Sequence, residues 1–112
     1  MNFEALSRMA EEETGVLLAG LPPELRPQVD ALPIFFESCP AEEDRDAGIL
    51  DDTLGFYDTE PVPRIRLWLV NIWDYAGGDE EKFREEVQTT LLHEIGHHLG
   101  WDEDDVAERG LE

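Results

Sequence analysis

His93-Glu94-Ile95-Gly96-His97-His98-Leu99-Gly100-Trp101-Asp102-Glu103-Asp104-Asp105 is the stretch from which the rest of the chain can be read. It holds H-E-x-x-H, then a glycine three residues after the second histidine and a carboxylate three residues beyond that. On a helix, positions i and i+4 lie about 40° apart around the axis, one turn above the other. His93 and His97 can therefore present imidazole nitrogens to one metal. Zn²⁺ takes such nitrogens at about 2.0–2.1 Å, and a catalytic site adds a third protein ligand and keeps a position for water. Glu94 is displaced about 100° from His93, which puts it beside a metal rather than on it, where it can take a proton from water. Gly100 suits the end of such a helix, because glycine accepts the left-handed conformation there. Past that turn Glu103 is the nearest carboxylate that could return as a third ligand. Asp102 and Asp104 are its rivals, and spacing alone does not separate the three.

Upstream, Gly77-Gly78-Asp79 reads as a breaker followed by an N-cap, with Glu80 and Glu81 where the helix dipole favours negative charge. The spacing predicts a helix over 79–99. With His93 at zero, Phe83, Val87, Leu91, Ile95, Leu99 and Leu92 fall between about 80° and 260°. The two histidines of the motif lie at the margin of that apolar stripe. His98, near 140°, falls inside it, so it cannot share a metal with His93 and His97 and reads as a hydrogen-bonded supporting histidine. Gly96 implies close packing against a neighbouring element.

The run H93-E94-x-x-H97-x-x-G100-x-x-E103 resembles the Asp-zincin pattern, H-E-x-x-H-x-x-G-x-x-D. The doubled histidine, the acidic run after Gly100, the short length and Leu54-Gly55-Phe56-Tyr57 ahead of a strand narrow the likeness. They resemble the small bacterial zincin-like metallopeptidases of minimal fold, over most of Pro33 to Asp105. Glu103 stands where that family usually has aspartate. The resemblance implies Zn²⁺ held by His93, His97 and Glu103, with Glu94 as general base. It also implies that the strand ahead of the metal helix lies beside it and offers an edge to extended substrate. No methionine follows Met9, so the Met-turn of metzincins is absent and that clan is excluded.

The 112 residues suit one domain with a single modest core. A formal net charge of −20, from 28 acidic against 8 basic side chains, repels phosphate backbones and argues against nucleic-acid binding. It would favour basic peptide segments as partners, although a well-solvated surface is the commoner reading. Cys39 is the lone cysteine, so no intrachain disulfide forms, and it reads as a partly buried thiol at a strand end. Met1-Asn2-Phe3-Glu4 lacks a basic segment leading into an apolar run, and no stretch is apolar over a membrane-spanning length. A cytoplasmic protein, not bound to membranes, is the expectation.

From the N-terminus, residues 2–18 read as a helix with Phe3, Leu6, Ala10 and Leu17 inward. A short helix follows over 23–31, after Pro22-Pro23. Ile34-Phe35-Phe36-Glu37-Ser38 reads as a strand, and residues 40–53, acidic and poor in large apolar groups, as a solvated loop. Leu54–Asp58 reads as a strand whose glycine allows close backbone approach. Its Tyr57 is a candidate phenol near the cleft, although a half-buried sheet tyrosine is the commoner case. Arg64 to Trp73 reads as one long strand. Asp104 to Leu111 reads as a short helix with Val106 and Leu111 inward.

The expected fold class is α+β: a small mixed β-sheet covered by N-terminal helices, with the metal-binding helix and a short C-terminal helix. The expected function is zinc-dependent hydrolysis of a peptide or protein substrate. The alternative is a zinc-stabilised interaction module without turnover, its coordination closed by a second acidic residue from 102–105.

Overall fold

A computed structural model of the chain describes residues 1–101. Helix α1 spans Phe3–Ala19, α2 Arg26–Asp30, strand β1 Ile34–Glu37, α3 Glu42–Asp46, β2 Gly55–Asp58, β3 Arg64–Trp68, α4 Leu69–Tyr75 and α5 Glu80–His98. The architecture is α+β. Asp102, Glu103, Asp104 and the helix expected over 104–111 lie outside the described residues.

Strand β3 sits at the centre of a three-stranded mixed sheet of order β1-β3-β2. It pairs in parallel with β1, Ile34 opposite Ile65 and Phe36 opposite Leu67. It pairs antiparallel with β2, Gly55 opposite Leu67 and Tyr57 opposite Ile65. Side chains alternate between faces along a strand. Ile65 and Leu67 accordingly enter the core with Leu6, Met9 and Ala10 of α1 and Phe83, Val87, Leu91 and Ile95 of α5. Arg66 and Trp68 turn to the other face and are buried there too.

That second burial explains why the acidic segment 40–53 is not simply a solvated loop. It contains α3, whose Asp44 is buried. The Asp44 carboxylate accepts hydrogen bonds from Arg66 Nη1 at 2.7 Å and from the Ala41 backbone N–H at 2.9 Å. Arg66 Nε also donates to Asp58 Oδ2 at 2.9 Å, and the guanidinium lies over the Trp68 ring, 5.0 Å from its centroid. One arginine thus joins α3, β2 and β3.

The long strand expected from Arg64 to Trp73 is corrected by the structure: the chain turns helical at Leu69. Leu69 and Ile72 are fully buried and Ala76 nearly so, spaced as one helical face. Asn71 donates its amide to the carbonyls of Asp51 and Thr53 at 2.7 and 2.9 Å, which holds the start of α4 against the preceding loop. A continuous apolar run is compatible with either period, and here the helical one wins. Since β3 is also central, it has no free edge to offer an extended chain.

Smaller differences are confined to single residues. Phe3 is exposed rather than inward, and Met9 lies on α1's buried face with Leu6 and Ala10. Cys39 is exposed rather than partly buried. Gly55 behaves as expected of a close approach: a Cβ there would come within 2.8 Å of Thr90 Cγ2 on α5. Among the described residues no helix is long and apolar enough to cross a membrane.

Candidate metal centre

Helix α5 starts and stops as its sequence directs. Asp79 caps it, accepting from the Lys82 backbone N–H at 2.9 Å, with Glu80 and Glu81 in the first turn. At its other end Gly100 takes φ +75°, Trp101 N–H bonds Gly96 O at 2.8 Å and Gly100 N–H bonds His97 O at 3.1 Å. These two bonds make a Schellman motif, which satisfies the terminal carbonyls and turns the chain off the helix axis. The turn comes directly after the motif histidines.

The apolar stripe fixes where those histidines point. Phe83, Val87, Leu91 and Ile95 are fully buried, while His93 and His97 are exposed at the stripe's margin. Their ring centroids stand 5.1 Å apart with planes at 85°. Glu94, by contrast, is buried, at 9% exposure. Its Oε1 lies 3.1 Å from His97 Nδ1. In a neutral imidazole facing a carboxylate, that nitrogen carries the proton, so the lone pair of His97 is on Nε2. Burial pushes the Glu94 carboxyl above the ordinary glutamate value of 4.5, against the opposing pull of His97 and His93. A carboxylate with a raised pKa beside two exposed imidazoles is suited to exchanging protons with groups held near them.

Two nitrogen donors from adjacent helical turns fit a zinc or similar borderline dication. The described residues bring together two of the three ligands expected from sequence, and the third, Glu103, lies beyond them. Among the described residues no group of three or more His, Cys, Asp or Glu side chains is arranged to hold a metal.

A family model for zincin-like metallopeptidases matches residues 29–111, well over half of the chain. The chain belongs to the zincin-like metallopeptidases. No curated protein matches it. The match includes all of α5 and the acidic segment after Gly100, and it begins just after Gln28, so α1 lies outside it.

In this zincin-like metallopeptidase both β2, an edge strand, and the central β3 pack against α5. Tyr57 of β2 does not stand alone. The phenol oxygen is 2.8 Å from His98 Nδ1, and the two rings meet edge to face with centroids 5.5 Å apart. His98 Nε2 in turn is 3.2 Å from the backbone carbonyl of Gln28. His98 is thus the hydrogen-bonded histidine its helical angle implied. Its partners could not be read from sequence, since one is a backbone oxygen 70 residues away.

Proposed function

We propose that this chain is a zinc-dependent peptidase, with His93, His97 and Glu103 holding the metal and Glu94 acting as general base. The observation that carries the reading is the pairing of two exposed imidazoles on adjacent turns with a buried carboxylate at their side. Zinc held there would lower the pKa of water towards about 7 and polarise the scissile carbonyl. Glu94 accepts the proton released as water attacks and returns it to the leaving amine. Its burial favours that exchange, because a raised pKa shrinks the gap to the groups it trades protons with. The contact with His97 Nδ1 orients the imidazole and leaves Nε2 as the donor atom.

The substrate class is a peptide or protein, with basic segments favoured by the net charge of −20. The cytoplasm is the proposed compartment. The test is Glu94→Gln, which keeps shape and removes basicity. We expect zinc content equal to that of the parent chain and cleavage of a peptide library reduced by at least about 100-fold. Cleavage at the parental rate would overturn the mechanism. A parent chain that retains zinc yet cleaves nothing would favour the interaction module instead.

A further inference from the structure

The Tyr57–His98–Gln28 chain has a direction that the chemistry of its ends dictates. The Gln28 carbonyl can only accept, so His98 Nε2, 3.2 Å away, must carry a hydrogen. A neutral imidazole then has its lone pair on Nδ1, and the Tyr57 hydroxyl 2.8 Å away must donate to it. The opposite tautomer would set a nitrogen lone pair against a carbonyl oxygen. The phenolic proton is therefore committed to His98, and Tyr57 has none left to offer a developing oxyanion.

We propose that Tyr57 and His98 are positioning residues for the metal helix, and that Tyr57 is not an oxyanion donor. The inference rests on the metal-binding role proposed above for His93 and His97. His98 is adjacent to His97 in the last turn of α5, about 100° around the axis from it. Its two ring nitrogens fasten that turn to β2 on one side and to α2 on the other. A helix end held at two points cannot rotate about its axis, so the angle at which His93 and His97 present their nitrogens is set. The Gln28 carbonyl lies just ahead of the family match, so the N-terminal part of the chain takes part in holding the site. Groups that orient metal-binding histidines are worth about 10–100-fold in metal affinity.

Three measurements on the full chain test this. In ¹⁵N-histidine NMR, the neutral form of His98 should appear as the Nε2–H tautomer; the Nδ1–H tautomer overturns the directional chain. Tyr57→Phe keeps the ring packing and removes only the hydroxyl. It should weaken Zn²⁺ binding, read by chelator competition, by about tenfold. It should also shift the visible spectrum of the Co²⁺-loaded protein, while the melting temperature of the metal-free chain stays close to the parent's. His98→Asn, whose amide oxygen can still accept from Tyr57, should retain more affinity than His98→Ala. Zinc affinity within twofold of the parent in Tyr57→Phe, or a loss of stability with an unchanged Co²⁺ spectrum, overturns the proposal. Both readouts are independent of turnover, so a chain that binds zinc without cleaving peptides would sink the hydrolase reading and leave this one to be decided.

Discussion

Arg66 joins three elements of this fold through one buried guanidinium. It is buried, and its guanidinium is shared between Asp44 at 2.7 Å and Asp58 at 2.9 Å, with Glu37 at 3.7 Å. Removing one member of a buried ion pair strands the others in a poorly solvated place, at a cost of about 3–5 kcal/mol. Arg64 also reaches Asp58 at 2.9 Å, but its side chain is 35% exposed, and pairs of that kind are worth about 0–1 kcal/mol. Arg66→Ala should therefore cost several times more stability than Arg64→Ala in urea unfolding of the metal-free chain. Similar losses in the two variants would mean that the buried network contributes no more than a surface pair. The sequence shows an arginine on a strand; it does not show that Asp44, 22 positions away, will fold back over it.

Helix α5 was legible because every signal on it agreed. Asp79 caps it, the apolar stripe holds its period from Phe83 to Ile95, and Gly100 ends it at φ +75°. The β3–α4 junction was not, since Arg64–Trp73 contains neither glycine nor proline and its apolar residues satisfy both periods. Burial from several sides selects the helix after Leu69, and that information is tertiary. The same limit applies to the site: the angles of His93, Glu94 and His97 follow from the helix, whereas the Tyr57–His98–Gln28 chain depends on elements meeting in space. The helix end offers a second prediction. Gly100 and Gly77 both have positive φ, +75° and +70°, and a Cβ on either would meet nothing within 4 Å. Alanine at either should cost about 1–2 kcal/mol from backbone strain alone. Of the two, only Gly100 stands between the motif histidines and the acidic residues that follow them. Gly100→Ala should thus weaken Zn²⁺ binding in chelator competition well beyond Gly77→Ala, at matched loss of stability. Equal effects on zinc would show that the turn does not serve the metal.

At the scale of the whole molecule, a net charge of −20 on 112 residues sets carboxylates against one another, and folding concentrates that repulsion. Screening it should help: the metal-free chain should melt at a higher temperature as salt rises from about 10 mM, where charges interact over about 30 Å, towards 1 M, where they interact over about 3 Å. Acid should act in the same sense at first. Glu94, whose pKa burial raises above 4.5, holds its proton more firmly when folded. Its contribution is fully present below 4.5 and fades as pH rises through its folded value. Asp44 has the opposite sign. Burial alone would raise its pKa, but the hydrogen bond from Arg66, the Ala41 N–H and the nearby charges of Arg66 and Arg64 outweigh this and hold it below 3.8. Its contribution is complete above 3.8 and lost as pH falls through its folded value. Taken together, these two groups favour a pH low enough to protonate Glu94 and high enough to keep Asp44 ionised. Asp44→Asn, which no longer titrates, should flatten the acid limb below 3.8 while leaving the limb above 4.5 unchanged in slope. Urea midpoints measured from pH 7 downward would check it, and a steady fall in stability from neutrality into acid would contradict the balance of charges on which this argument stands.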